Sequence, residues 1–316
     1  MTRLLPHAPS RHATRVWAVA SIVGLAGLVT ACGGTSAAPT AATSVPASGP
    51  EAGVTSHYGA DVGNPSAPTT GAAQAAVRAF ATHVQSSAAA FVASVASLQS
   101  DVASSDTAAA REDELAAQGE YDTLRAIEAG NSINASTLDE LDTDVLPGQS
   151  FGGLHAVERD LWIGGPLATD VAALAGQAPV AQFLLSRERL GPEAIGTVAV
   201  DELSWVDDTA LPHSQEHASH LGLVDVASTI AAAGQSFQDI EPLARLVDPA
   251  RTSTVAGQFA ALTTAVATLG PPTTTPDTST TSAAKLAVSQ QVDATATAMA
   301  RLAAELAPFG TAGAPS

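Results

Sequence analysis

Apolar positions recur every three or four residues along most of the chain beyond residue 72. In the first such stretch, Phe80, Val84, Phe91 and Val95 follow this spacing. Side chains so spaced share one face of an α-helix, so the pattern predicts a long amphipathic helix packed against a core. Because strand-type alternation is scarce, we predict an all-α fold with about eight helices over roughly 240 residues.

Capping residues and prolines divide this region into separate helices. Ser105 and Asp106 are typical N-cap residues, and we predict that a second helix begins there and ends at Gly130. Pro192 suits the first turn of a helix that reaches Val206. The same signals predict a His-rich helix at residues 213–237, a helix between the Asp248 N-cap with Pro249 and Gly270, and a last helix at residues 283–306.

The N-terminal residues follow a different pattern. Three arginines precede an apolar run at residues 17–30, which is too short for a comfortable membrane span. The run leads into the sequence VTAC, which resembles the bacterial lipobox, and its last residue, Cys32, is the only cysteine of the chain. We therefore predict a lipoprotein signal peptide at residues 1–31 and a lipid on Cys32. This lipid would anchor the protein to the extracytoplasmic face of the cell membrane.

Residues 33–71 are rich in Gly, Ser, Thr, Ala and Pro, a composition that cannot bury a core. We predict four parts in order along the chain. These are the signal peptide at 1–31, a flexible, disordered tether at 32–71, a helical domain at 72–308 and a disordered tail at 309–316.

Charge narrows the choice of partners. The chain has 31 acidic and 13 basic residues and a formal net charge of -18. An acidic surface repels phosphate backbones, so we expect no nucleic-acid partner. Cations and basic proteins remain as partners.

The segment FGGLHAVERDLW, residues 151–162, carries the first candidate chemistry. It places His155 and Glu158 three residues apart. On a helix, this spacing puts imidazole and carboxylate on one face, where both can reach one cation. Such a pair is only half a metal site, because zinc or iron needs further ligands from elsewhere in the fold. A hydrogen-bonded pair that stabilises a helix start is the alternative.

A second constellation lies between Pro212 and residue 220. On a helix, His213, Glu216, His217 and His220 would share one face, which suits zinc, iron or copper. Residues 213–217 also spell HxxEH, the pattern of inverted zinc peptidases. The pattern is short enough to arise by chance, and solvated histidines at a helix start are the other interpretation.

The segment GGLHAVERDLW resembles the GxHxxE signature of the imelysin-like family, which includes the EfeO and EfeM iron-uptake lipoproteins. Gly153, His155 and Glu158 fall on the signature positions. The similarity extends over residues 72–308, and the tether leaves no room for the cupredoxin domain of the EfeO type. The resemblance implies two antiparallel four-helix bundles with a metal site between helices, in the shorter, EfeM-like form.

The resemblance also implies further metal ligands. Asp122 and Asp139 stand where the family has an acidic cluster, and Glu216 or His220 could contribute to the same site. Where the family has an acid one turn after Asp122, this chain has Arg125. That arginine would either repel a metal ion or pair with Asp122 and remove it from the ligand set.

Two functions follow as expectations. The first is a lipid-anchored, extracytoplasmic metal-binding protein of an Efe-type iron-uptake system. It would bind Fe2+ or Fe3+, with zinc or copper as other metals, and deliver the ion to an iron permease and a haem peroxidase-like partner. The second is an imelysin-type zinc metallopeptidase. Because GxHxxE supplies one His, one Glu and no separate base, the sequence leaves an enzyme open but favours its absence, and it assigns no catalytic residue.

Overall fold

The computed structural model describes residues 67–127, 138–139, 151–213, 218–219, 221–269 and 282–309. They all belong to one compact unit, residues 57–316. Every regular element in these ranges is helical, so the all-α prediction is confirmed for this part of the chain. The signal peptide, Cys32, most of the tether and residues 310–316 lie outside the described ranges, and the statements about them stay predictions.

Eight helices of ten or more residues are present in the described ranges. They are α1 (Ala67–Ser104), α2 (Thr107–Asp122), α3 (Gly153–Trp162), α4 (Leu167–Leu185), α5 (Pro192–Trp205), α6 (Gly222–Val247), α7 (Pro249–Ala267) and α8 (Ser282–Glu305). A π-helical turn, Val206–Ala210, continues α5 and leads into a single α-helical turn, Leu211–His213. A 3-10 turn, Ala307–Phe309, follows α8.

Two helix starts that N-cap residues predict are confirmed. The carboxylate of Asp106 accepts a hydrogen bond from the Ala109 backbone N–H at 3.1 Å, at the start of α2. Asp248 does the same for the Arg251 backbone N–H at 2.8 Å, and Pro249 opens α7. These side chains satisfy backbone N–H groups that have no partner inside the helix.

The predicted bounds of two helices are wrong. Helix α2 ends at Asp122 rather than Gly130, because the backbone tightens there: the Leu124 N–H donates to the Tyr121 carbonyl, three residues back instead of four, at 2.7 Å. The His-rich helix predicted at 213–237 instead begins at Gly222 and ends at Val247. The backbone N–H groups of residues 218 and 219 donate to a side chain of α3, which removes this segment from the helix.

Small residues let the helices pack closely. Helix α1 packs against α2, α4 and α6, while α8 packs against α5 and α7. A Cβ added at Gly196 of α5 would come within 2.6 Å of the Ala303 Cβ of α8, so glycine is needed there. The ends of α2 and α3 and the start of α6 lie together, and this is where the polar residues gather. Among the described residues, no helix has the length and apolar character needed to cross a membrane.

Candidate functional site

Six side chains from separate parts of the chain meet in one polar group, which we call the His155 cluster. Helix α2 supplies one, α3 supplies two and α6 supplies one, and the other two lie in the connections. Its members are Asp122, Arg125, Asp139, His155, Glu158 and Asp225. Four of the six predicted metal ligands are therefore together. The other two, Glu216 and His220, lie outside the described residues.

The imidazole of His155 lies between two carboxylates. Its Nε2 is 3.1 Å from Asp139 Oδ1, and its Nδ1 is 3.9 Å from Glu158 Oε2. The side chain is 4% exposed. Burial acts to raise the pKa of both carboxyls, but His155, together with Arg125 at Asp139 and Ser219 at Glu158, leaves the pKa of each below the usual range. The prediction that His155 and Glu158 share one face of a helix is confirmed.

Gly153 brings Asp139 to this histidine. It opens α3 with φ at +78°, the left-handed region that favours glycine. A Cβ at this position would lie 2.5 Å from the carbonyl oxygen of Leu138. Any other residue at this position would therefore push Leu138 and Asp139 away from α3.

Glu158 ties α3 to the segment before α6. Its Oε1 accepts backbone hydrogen bonds from Ala218 at 2.9 Å and Ser219 at 2.6 Å. The other oxygen, Oε2, faces His155. Charge-assisted bonds of this kind hold a carboxylate in one orientation. Glu158 is thereby positioned next to the imidazole, and it also holds residues 218 and 219 in place.

Asp225 is the member that the sequence did not assign as a ligand. It is 1% exposed, and neither of its oxygens has a hydrogen-bond partner in the described part of the chain. Burial raises the pKa of this carboxyl well above its usual range, and the nearby charges of Asp122 and Asp139 add to the effect, while His155 and Arg125 oppose it. The signal in the sequence was an acid enclosed by apolar residues in LGLVDVA.

Arg125 is fixed among the acids of the cluster. One terminal nitrogen, Nη2, donates to Asp122 Oδ1 at 2.7 Å and to Thr229 Oγ1 at 3.0 Å. The other, Nη1, lies 3.7 Å from Asp139 Oδ2. The guanidinium carbon is 3.4 Å from the centre of the Trp205 ring, a cation–π contact. Of the two outcomes that the sequence allowed for Arg125, pairing with Asp122 is the one observed.

Both oxygens of Asp122 are engaged. Oδ1 accepts from Arg125 and from Gln118 Nε2, the latter at 3.0 Å, and Oδ2 accepts a short hydrogen bond from the Ser228 hydroxyl. Burial raises the pKa of this carboxyl, against the opposing effects of Arg125 and Ser228. Use of Asp122 as a metal ligand would require these contacts to break.

Glu202 is a second buried acid that sequence reasoning missed. It lies on α5, is 1% exposed, and its Oε1 accepts the Ala126 backbone N–H at 3.1 Å. Burial raises its pKa to about 8, although Arg125 and this hydrogen bond act in the other direction. It follows the buried Ile195, Val198 and Ala199 at helical spacing, so its burial could have been predicted from the apolar face.

The cluster fits a bound cation in part. Oxygen and imidazole donors suit iron or zinc, and the carboxyl of Asp225, which has no hydrogen-bond partner in the described ranges, lies within electrostatic reach of His155. Asp122 does not fit, because its oxygens are engaged. With the side chains as they stand, no group of three or more His, Cys, Asp or Glu in the described ranges has the geometry to hold a metal ion. Binding would therefore require side-chain movement or the contribution of residues near 214–220.

Comparison with known proteins assigns no family to this chain. No protein-family model matches the chain, and no curated protein matches it. The resemblance to the imelysin-like family therefore stays a prediction that rests on the motifs given above.

Proposed function

We propose that the protein is an extracytoplasmic metal-binding protein that captures iron for an Efe-type uptake system. His155, Asp139, Glu158 and Asp225 would hold the ion as cargo. One observation carries the proposal: the buried carboxyl of Asp225 has no hydrogen-bond partner among the described residues, and it lies within electrostatic reach of an imidazole that contacts two other carboxylates. Burial raises the pKa of this carboxyl, and a bound cation would favour the ionised form that burial disfavours.

The choice of iron rests on the ligand types and on the motif. Carboxylates with one imidazole and no thiolate suit iron outside the cytoplasm. Carriage of the GxHxxE signature by Gly153, His155 and Glu158 supports membership of the imelysin-like family. The metal ion would act as a Lewis acid. It would lie between these donor atoms and replace the protons that they share when no metal is bound.

Helix packing supports the finer arrangement that we propose, two antiparallel four-helix bundles. Helices α1 to α4 contact one another, and α5 to α8 contact one another. Helix α6 also contacts α1 and α2, so it joins the two groups. The His155 cluster lies at this junction, since Asp225 is on α6 and Asp122 is on α2.

The cellular context is part of the same proposal. Lipidation at Cys32 would hold the protein at the outer face of the cell membrane, with the tether between lipid and domain. An iron permease and a haem peroxidase-like protein would then receive the ion. The lipobox and the acidic charge support this placement.

The test is an anaerobic Fe(II) titration of the full-length chain, with Zn(II) in parallel. We expect Fe(II) to bind with a defined stoichiometry and His217→Ala to leave that binding unchanged. The peptidase alternative predicts a different result, in which zinc binds more tightly, His217→Ala removes it, and the zinc-loaded chain cleaves a protein substrate. The absence of any Fe(II) binding would refute the proposal.

A further inference from the structure

Helix α4 has apolar residues on two sides, and one of these sides is exposed to solvent in the described part of the chain. The inner side, which packs against α1 and α3, carries Val171, Leu174, Ala178, Ala181 and Leu185. The outer side carries Val180 and Phe183, which are 51% and 53% exposed, and Leu184. No charged residue lies between positions 171 and 186. A helix that is apolar on all sides is normally buried on all sides, so we expect another molecule to cover the outer one.

The outer side has the spacing by which two helices pair. Steps of four and three residues connect a line of exposed positions, which we call the outer seam: Thr169, Ala173, Gly176, Val180, Phe183 and Arg187. The last of these lies just beyond the end of α4, where its backbone N–H donates to the Leu184 carbonyl at 3.0 Å and adds one more turn. Alternating steps of three and four residues place side chains in one line along a helix, where they interlock with those of a second helix.

The outer seam is small in its first half and large in its second. Ala173 and Gly176 come before Val180 and Phe183. If two copies of α4 run antiparallel about the middle of the seam, Ala173 of each copy faces Phe183 of the other, and Gly176 faces Val180. Each large side chain then meets a small one, whereas a parallel pair would place large against large. The seam is therefore complementary to itself in antiparallel order, as the interface of a two-fold symmetric dimer must be.

Gly176 supports close approach of a second helix. A Cβ added at this position would meet no atom within 4 Å in the described part of the chain, so a single copy has room for alanine there. Glycine lowers the stability of a helix relative to alanine, because it has more conformational freedom in the unfolded chain. A facing helix that packs Val180 into this position gives the missing side chain a purpose.

The charges at the two ends of the outer seam are opposite. Asp170 lies next to Thr169 in the first turn of α4, and Arg187 forms the other end. Arg159 also contacts Asp170, at 3.4 Å, but it lies closer to Asp160, at 2.7 Å. Antiparallel pairing would bring Arg187 of each copy close to Thr169 and Asp170 of the other, where opposite charges attract.

We propose that the outer side of α4 is a homodimer interface, in which the α4 helices of two copies of this chain pair antiparallel about a two-fold axis. The exposed apolar side chains, the order of small and large residues and the opposite charges at the two ends all fit a second copy. The pairing is independent of the proposed metal-binding function, because α4 supplies no member of the His155 cluster.

The test is sedimentation equilibrium of the full-length chain with Cys32→Ser, which removes the predicted lipidation residue and the only thiol. The measured mass should rise from one chain to two as the protein concentration increases. Phe183→Glu should raise the dissociation constant more than about tenfold, because it places a charge inside the interface. Leu286→Glu is the matched control. Leu286 is 58% exposed on α8, and its replacement should change the dissociation constant by less than about threefold.

Two further variants test the orientation of the helices and the role of glycine. Thr169→Lys should weaken the dimer, because it faces Arg187 of the second copy, and adding Arg187→Glu in the same chain should restore it. A parallel pair would show no such rescue, since each position would then face itself. Gly176→Ala should raise the thermal stability of the monomer and raise the dissociation constant of the dimer more than about fivefold.

Three results would overturn the proposal. The first is a chain that stays monomeric at every concentration, and the second is a dimer that Phe183→Glu and Gly176→Ala leave unchanged. The third is a monomer that binds vesicles of phosphatidylglycerol and phosphatidylcholine and loses this binding in Phe183→Glu, because the outer side of α4 would then face a membrane. A dimer that weakens in Thr169→Lys without rescue by Arg187→Glu would refute the antiparallel order.

Discussion

His83 and His155 both lie beside carboxylates, and their surroundings differ. His83 of α1 has its Nδ1 3.4 Å from Asp239 Oδ2 of α6, and Gln235 also donates to Asp239, at 3.2 Å. The His83 side chain is 17% exposed, whereas that of His155 is 4% exposed. His155 lies among four carboxylates and a fixed guanidinium, and one of those carboxylates has no hydrogen-bond partner in the described ranges.

The comparison shows that a histidine next to acids is a weak sign of a site. Near His83, a neighbouring amide shares the carboxylate of Asp239, and solvent reaches the imidazole, so a structural role accounts for the contact. Around His155, the carboxyl of Asp225 is buried without a hydrogen-bond partner in the described ranges, and burial raises its pKa. Burial of this kind lowers stability, and proteins retain it chiefly where it serves a function.

The largest expected difference is in metal affinity. His155→Ala should weaken Fe(II) binding by about a hundredfold or more, because it removes the only imidazole of the His155 cluster. His83→Ala is the matched control and should change the affinity by less than about threefold. Calorimetric titration of both variants measures this contrast. Equal losses in the two variants would remove the distinction between the two histidines.

Asp225→Asn should have opposite effects on stability and on binding. Burial raises the pKa of Asp225, so the folded protein holds a proton that the unfolded chain releases. As the pH rises above the ordinary pKa of an aspartate, this carboxyl therefore lowers the stability of the fold. The neutral amide should therefore stabilise the metal-free protein at pH 7 by about 1 to 2 kcal/mol and weaken Fe(II) binding by about tenfold.

Denaturant unfolding at several pH values checks the stability effect, with Asp239→Asn as the control variant. The stability of wild type should fall with rising pH more steeply than that of Asp225→Asn. A destabilised Asp225→Asn with unchanged metal affinity would instead place Asp225 outside the site.

Glu202→Gln should have the smallest effect on binding and a clear effect on pH dependence. The pKa of Glu202 is about 8 in the folded protein against an ordinary value of 4.5, so folding binds a proton between these limits. Stability falls as pH rises through this window, and Glu202→Gln should flatten that fall. Fe(II) affinity at pH 7 should change by less than about threefold. A steep loss of affinity would make Glu202 part of the metal site.

The sequence predicted what depends on neighbours along the chain. The starts of α2 and α7 depend on Asp106 and Asp248, which cap their own helices, and the pairing of His155 with Glu158 depends on helical spacing. The start of α6 was wrong because the carboxylate that captures residues 218 and 219 is about 60 positions away, on α3.

The buried acids were missed for a related reason. Helical spacing places Asp225 and Glu202 on apolar faces, but the contacts they make depend on which helices cover those faces. The Trp205 ring on Arg125 likewise joins segments that are about 80 residues apart. Neither the covering of the buried acids nor the contact between Trp205 and Arg125 can be predicted from composition or periodicity.

The most direct test of the central claim is anomalous diffraction from crystals of the protein grown anaerobically with Fe(II). The account predicts one strong iron peak at bonding distance from a nitrogen of His155 and from oxygens of at least two of Asp139, Glu158 and Asp225. It also predicts that Asp122 remains paired with Arg125 in the same crystal. Iron bound elsewhere, or an unchanged His155 cluster at saturating Fe(II), would contradict the account.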